Sequence, residues 1–412
     1  MPRNSGACAA GLAARVAAHR VGEARAVAGR AVLLGQVTVV IARYGRKAQN
    51  SRLGRRVCCQ TMLEQLPARP AESHALDIAR TLPGNSIVCT TVGRGQAALE
   101  LAAERPTASV TAWFLDLFPH HAAVAAWGPP PAGLRAVCTA DMPEGPYDLA
   151  VVPLSKNGEA ELSRDILQTS FQNLAIGGRL VAAIDNRHDN WLREQLAEIG
   201  ETVRVRPPVS EDADTVAYIV EKTRELTKIR DFSCKLVFRD GERLLTAVTR
   251  PGVFAHRRID PGARHLLNAV DVAPGTHVID IGCGSGCVAL GLAARDTSVH
   301  VHALDAAARA VACTLQGAAL NGLENVTVSL DCEGHVPEEG SYDLALANPP
   351  YYSDFRIAGL FVDAARRALA PGGTLLIVTK QPNWYIENLP NEWNEVAQEP
   401  VKNYHLIEAT RA

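Results

Sequence analysis

No apolar run in this 412-residue chain approaches the roughly 20 residues needed to span a bilayer. The longest, from Ala31 to Ala42, is interrupted by Gly35, Gln36 and Thr38. That excludes a transmembrane reading, and the stretch lies too far from the N-terminus for a standard secretory signal. The ten cysteines include no CxxC pair, which fits reduced cytosolic thiols better than a disulfide framework or a zinc site, so a cytoplasmic location is expected. Acidic residues are nearly missing from residues 1–60, which hold eleven Lys or Arg against Glu23 alone; residues 61–230 and 231–412 each carry a net charge of −6. Neither of the two longer segments is therefore a basic nucleic-acid-binding domain by composition.

The length is too great for one ordinary core and implies two folded units. Residues 1–61 form a basic Ala/Arg-rich tail, expected to be disordered or outside the mature fold. Its composition suits an organellar transit peptide, an RNA-binding arm or sequence upstream of a true start at Met62, and all three stay open. From about Leu63 onward short β-rich runs alternate with longer helical ones, which predicts α/β units with parallel sheets. The expected units are 62–225 and 226–412. In the second, strands are predicted at His277 to Ile281, Val299 to Leu304, Val326 to Leu330, Leu344 to Ala347 and Thr374 to Thr379. Helices are predicted at Cys287 to Arg295 and Phe361 to Leu369, then a Pro371-Gly372-Gly373 turn and a closing hairpin, Trp393 to Gln398 with Tyr404 to Ala409. An Asp240-Gly241 turn marks another hairpin between the units, expected to dock one on the other.

The two units are copies of one pattern. Ile87 to Leu99 matches Val278 to Leu290 at an offset of 191, Tyr147 to Ala150 matches Tyr342 to Ala345 at 195, and Leu174 to Leu180 matches Leu369 to Leu375 at 195. The copies differ where chemistry would sit: Asp280, Gly282 and Asn348-Pro349 become Cys89, Thr91 and Pro153-Leu154, so the first copy reads as degenerate.

Asp280-Ile281-Gly282-Cys283-Gly284-Ser285-Gly286 puts glycines at alternate positions of a strand-to-helix turn, where backbone can approach a ligand and the helix N-terminus favours an anion. By itself such a run can be only a tight turn. Asp305 follows 19 residues after Gly286 at a strand end, where a carboxylate accepts ribose hydroxyls or simply caps the next helix. Asn348-Pro349-Pro350-Tyr351 ends another strand. Its prolines leave carbonyls free, Asn348 adds an amide oxygen and Tyr351 a stacking face, a set suited to an amino group on a planar conjugated system; an Asx-Pro turn with a packed tyrosine is the plainer alternative. His300 and His302 share a strand face with no third metal ligand near in sequence, Cys283 and Cys287 read as small packing residues, and Cys58-Cys59 carries no argument.

Together these motifs resemble class I S-adenosylmethionine-dependent methyltransferases that modify exocyclic or amide nitrogen. The tandem arrangement, with Arg250-Pro251-Gly252-Val253-Phe254 and Leu266-Leu267 ahead of the glycines and Pro153 to Ala160 in the first copy, is similar over residues 63–412 to ribosomal RNA guanine-N2 methyltransferases of the RsmC and RlmG kind. The resemblance implies two tandem Rossmann-like domains, the first degenerate and the second with a seven-stranded, mostly parallel sheet. It implies a monomer acting on ribosomal RNA or a ribosomal subunit, the small one favoured, with no membrane partner and no metal. S-adenosylmethionine would be held by Asp280, Gly282, Gly284 and Gly286, with Asp305 on its ribose, Asp331 facing its adenine and Phe254 near its methionine end. Asn348, Pro349, Pro350 and Tyr351 would hold the target amino group. Lys156, Arg257, Arg258, Arg356 and Lys380 are candidate phosphate contacts, as are Arg264, Arg366 and Arg367. Tyr351-Tyr352 departs from the Phe-His more usual there and is typical of adenine-N6 and protein-glutamine methyltransferases. Those targets remain alternatives, as does a non-catalytic RNA-binding assembly factor.

Overall fold

The computed structural model describes residues 68–208, 210, 213–350 and 355–412. Residues 1–61, Met62 and Tyr351-Tyr352 lie outside that set. The first unit runs α1 (Pro70–Arg80), β1 (Ser86–Thr90), α2 (Gln96–Glu104), β2 (Ser109–Phe114), α3 (Leu117–Trp127), β3 (Leu134–Cys138), β4 (Tyr147–Leu154), α4 (Ala160–Gln172), β5 (Leu174–Ile184), α5 (Trp191–Ile199), β6 (Val203–Arg206) and β7 (Val216–Glu221). A hairpin follows, β8 (Cys234–Asp240) and β9 (Arg243–Thr249). The second unit runs α6 (Pro261–Ala269), β10 (His277–Ile281), α7 (Cys287–Ala293), β11 (His300–Asp305), α8 (Ala308–Leu320), β12 (Val326–Leu330), β13 (Tyr342–Ala347), α9 (Arg356–Ala368), β14 (Leu369–Thr379), α10 (Asn383–Asn388), β15 (Trp393–Val401) and β16 (Tyr404–Arg411). Both sheets have seven strands in one topology, β3-β2-β1-β4-β5-β7-β6 and β12-β11-β10-β13-β14-β16-β15. Among the described residues no helix is long and apolar enough to cross a membrane.

Strand alternation divides each core between two faces. Val278, Leu344, Leu346 and Leu376 pack on one side of the second sheet, Ile279, Ile281, Ala345 and Ala347 on the other. Helices cover both faces, so these strands read as near-continuous apolar runs. The expected Pro371-Gly372-Gly373 turn is instead absorbed into β14. Pairing jumps from Tyr342 with Leu369 to Leu344 with Thr374, and Gly372 takes up the extra length at φ +81°. Helix α9 starts five residues before the predicted Phe361 and ends at Ala368, because Leu369 already pairs in the sheet. The hairpin belongs to the second core through Phe238, Leu245 and Ala247. The segment after it reaches back to the first unit, with Arg250 Nη2 2.7 Å from Asp141 Oδ1 and Gly252 N–H donating to Glu159 Oε2 at 2.9 Å.

The two units meet as pseudo-symmetric copies. Asp116 and Ala307, equivalent at the offset of 191, form an antiparallel bridge; Leu117 N–H donates to Ala306 O at 2.8 Å and Ala308 N–H to Leu115 O at 2.9 Å. Each bond is the image of the other under the repeat, as at a two-fold dimer interface. Beside it, the Arg309 side chain is buried and binds Asp165 Oδ2 at 2.6 Å, Ala140 O at 3.1 Å and Pro251 O at 2.9 Å. His121 also crosses the seam, to Glu333 at 3.3 Å and Cys332 at 3.5 Å.

Candidate active site

Ligands of open α/β sheets bind beyond the carboxyl ends of the strands, and the sequence motifs gather there. Ile281 of β10 pairs with Ala347 of β13, so Gly282 and Asn348 are the next residues of two neighbouring strands. Gly282, Gly284 and Gly286 have φ of +76°, +56° and +75°, a region costly for other residues. A Cβ on Gly282 would stand 2.7 Å from the Phe361 ring, and one on Gly286 2.6 Å from Thr314 Oγ1. These contacts hold the loop in its shape. The exposed Phe254 overlies it, its backbone carbonyl 3.7 Å from where a Gly284 Cβ would be.

Asp280 is buried, and its Oδ2 has no hydrogen-bond partner. Burial, with a smaller contribution from Asp305, pushes its carboxyl up to about 7. A buried carboxyl oxygen without a partner calls for a donor, preferably cationic. Asp305 accepts from Gly284 N–H and Ala307 N–H, both at 2.8 Å, and burial raises its pKa. Each of its oxygens keeps a second lone pair. The Asp331 carboxylate ties its own loop, accepting from the backbone of Glu333 and His335 at 2.9 Å and meeting His335 Nδ1 at 2.9 Å.

Asn348 and Pro350 are partly exposed at the strand end and Pro349 is buried; Tyr351 falls outside the described residues. Asn348 Nδ2 donates to Asp260 Oδ2 at 2.9 Å. Beside this strand end, Phe355 and Trp384 stack with ring centroids 5.3 Å apart and planes within 2°. They line a cavity of about 440 Å³ with Lys380, Gln381, Pro382 and Asn383.

Of the expected phosphate contacts, only Lys380 reaches that cavity, its Nζ 5.0 Å from the Tyr404 ring centroid. Arg356 is exposed at the start of α9 and Arg258 on the segment after the hairpin. Arg257 is engaged by Glu161 across the seam at 2.9 Å, Lys156 pairs with Asp214 at 3.6 Å, and Arg366 pairs with Glu392 at 3.3 Å. Arg264 is exposed, and Arg367 is turned toward Gly334 O. His302 is a satisfied strand residue, bonded to Thr327 and Ser329 at 2.8 Å, and burial lowers its pKa to about 4. Sequence reasoning missed Asp260, Thr314 and the Phe355–Trp384 pair. Asp260-Pro261 carried a readable helix-start signal; the other contacts had none.

The corresponding end of the first sheet carries different side chains and keeps a cavity of about 240 Å³ lined by Glu72, Gly93, Arg94 and Gln96. Cys89 and Phe114 occupy the places of Asp280 and Asp305 and are buried. Thr91 Oγ1 accepts from Gly93 N–H and Gly95 N–H at 2.9 Å. The buried Glu72 carboxylate accepts from Ala97 N–H at 3.1 Å, taking the N-terminus of α2; burial raises its pKa. In the second unit the residue at that offset is Ala263.

Residues 244–407 match the family described as "Methyltransferase small domain". A ribosomal RNA small subunit methyltransferase C of Ectopseudomonas mendocina is 30% identical over 257 residues, which cover 58% of this chain and 71% of that protein. The chain belongs to the S-adenosylmethionine-dependent methyltransferases related to that enzyme. Ribosomal RNA large subunit methyltransferase G of Shewanella amazonensis is 31% identical over 226 residues, 52% of this chain and 56% of its own length. The small subunit methyltransferase C of Pseudomonas aeruginosa is 34% identical over 143 residues, 34% of this chain and 42% of its own. The chain thus spans about half the length of these last two relatives. The solved structure of the T. thermophilus 16S rRNA N2 methyltransferase RsmC, in complex with AdoMet and guanosine, shares the fold over 84% of this chain and 92% of its own, at a TM-score of 0.67 and 21% identity. The fold of this chain, both sheets included, is therefore shared with that structure.

Proposed function

We propose that the second unit binds S-adenosylmethionine and methylates the exocyclic N2 amino group of a guanine in ribosomal RNA, of the small subunit. The observation that carries this reading is the adjacency of Gly282 and Asn348 at the ends of paired strands, which sets a cofactor loop beside an amide acceptor. The residues fit the cofactor. The unpartnered Asp280 Oδ2 suits its cationic methionine end, the glycine turn admits close backbone approach, and the spare lone pairs of Asp305 suit ribose hydroxyls. Phe254 would cover the methionine end, and the loop held by Asp331 would border the adenine. When bound, the cofactor supplies an electrophilic methyl on a sulfonium.

This chain's residues do the rest. A guanine amino nitrogen is a weak nucleophile because its lone pair is delocalised into the ring. Accepting its hydrogens through Asn348 Oδ1 and the Pro349 carbonyl fixes the nitrogen for in-line attack and disperses the positive charge that develops there. Pro350 stiffens the turn, and Tyr351 stacks on the base. Extruding a base costs a few kcal/mol; the Phe355–Trp384 cavity offers a stacking surface, with Lys380 at its rim for phosphate. The first unit serves recognition, through Lys156 and the seam around Arg257 and Arg258, and with Cys89 and Phe114 in the places of the Asp280 and Asp305 carboxylates it holds no cofactor of its own. The protein acts as a monomer in the cytoplasm.

The test is methylation of ribosomal RNA and intact subunits with labelled cofactor, followed by nuclease digestion and nucleoside mass spectrometry. Label in N2-methylguanosine is expected. Label in N6-methyladenosine or in a protein glutamine would overturn the target assignment.

A further inference from the structure

We infer that Asp260 is a positioning residue that sets which end of the Asn348 amide faces the target nitrogen; the inference rests on the reading that Asn348 accepts from that nitrogen. An amide offers two donors at one end and an acceptor at the other, and only the acceptor end can receive hydrogen from an amino group. A carboxylate accepts only. The 2.9 Å contact between Asn348 Nδ2 and Asp260 Oδ2 therefore commits the amide nitrogen inward and leaves Oδ1 for the substrate. A flipped amide would place oxygen against oxygen at this contact and present donors to a donor.

Asp260 is itself held. It is the N-cap of α6, the same Oδ2 accepting from Ala263 N–H at 3.2 Å, with Pro261 fixing the first helical position. Leu266 and Leu267 anchor that helix in the core. Gly262 makes the contact possible, because a Cβ there would lie 2.7 Å from Asp260 Oδ2 and 3.0 and 3.1 Å from Asn348 Nδ2 and Oδ1. The chain carries its own comparison. At the repeat offsets of 191 and 195 the first unit has Arg69 for Asp260 and Pro153 for Asn348, so both partners are missing together where no amino group is to be held.

The test is single-turnover methyl transfer by the full chain, with cofactor affinity, KM for RNA and thermal midpoint measured alongside. Asp260→Ser keeps a good N-cap but is too short to reach Asn348. The expected result is a rate lowered about tenfold, the worth of one charge-assisted hydrogen bond, with KM and cofactor affinity within about twofold. Asp260→Asn, whose Oδ1 can accept both existing bonds, restores most of the rate. Gly262→Ala favours the helix while wedging the two side chains apart, and it slows transfer without lowering the thermal midpoint. In an Asn348→Ala background Asp260→Ser costs nothing more, since the effect runs through the amide. Full rates in Asp260→Ser and Gly262→Ala alongside a crippled Asn348→Ala would overturn this inference and leave the function standing. A normal rate in Asn348→Ala would overturn the function, and the inference with it.

Discussion

Arg309 joins the two units from a buried position, and its removal measures how tightly they are coupled. Its side chain is 2% exposed and that of Asp165 13%, so neither charge is solvated if the other is lost. Arg309→Ala strands the Asp165 carboxylate and leaves the carbonyls of Ala140 and Pro251 without this donor. Breaking a buried pair from one side costs about 3–5 kcal/mol, a large share of the roughly 5–15 kcal/mol that holds a domain folded. Arg250 and Asp141 also pair across the seam, but the Asp141 side chain is 79% exposed, so Arg250→Ala is expected to cost at most about 1 kcal/mol. Guanidinium denaturation of the full chain, followed by tryptophan fluorescence, gives both values. The wild type unfolds in one transition, and Arg309→Ala separates it into two as the units lose their coupling. Replacing both partners, Arg309→Met with Asp165→Leu, recovers most of the loss. A single transition in Arg309→Ala, shifted by less than about 1 kcal/mol, would refute the reasoning.

Three further outcomes follow from individual groups. His302 titrates at about 4 in the folded chain against about 6.5 unfolded, so the unfolded chain takes up the proton first; its contribution is full above pH 6.5 and about 3 kcal/mol is lost by pH 4, a dependence that His302→Gln should remove from stability curves measured across that range. The Asp280 carboxyl, held up to about 7 by burial, must give up its proton to face a cationic ligand, so cofactor affinity should fall by up to about tenfold per unit below pH 7 and Asp280→Asn should flatten the profile in equilibrium dialysis. Lys156→Ala should weaken RNA binding and lower the salt slope of the affinity by about one; filter binding over a salt series checks it, and an unchanged slope would remove Lys156 from the RNA contact.

The second unit was legible because its signals are local. His277 to Ile281 and Val326 to Leu330 fall where alternation and flanking turns put them, and positive-φ glycines after a strand announce the ligand loop. Pairing between distant segments was not legible. The β14 bulge at Gly372 arises only because Tyr342 and Leu369 must meet in the sheet, and the Asp260–Asn348 contact joins residues 88 apart. The repeat exposed the lost Asp280 and Gly282 equivalents, yet the Glu72 carboxylate on the N-terminus of α2 needed the structure, since its helix's approach to Ala97 has no sequence mark.

The division of labour between two units of one fold is tested most directly by calorimetric titration of S-adenosylmethionine into the full chain. One equivalent is predicted, with binding abolished by Gly284→Val and unaffected by Gly93→Val, its image at the offset of 191, where a side chain meets nothing within 4 Å, in a chain that remains folded by circular dichroism. Two equivalents, or one that survives Gly284→Val, would contradict the account.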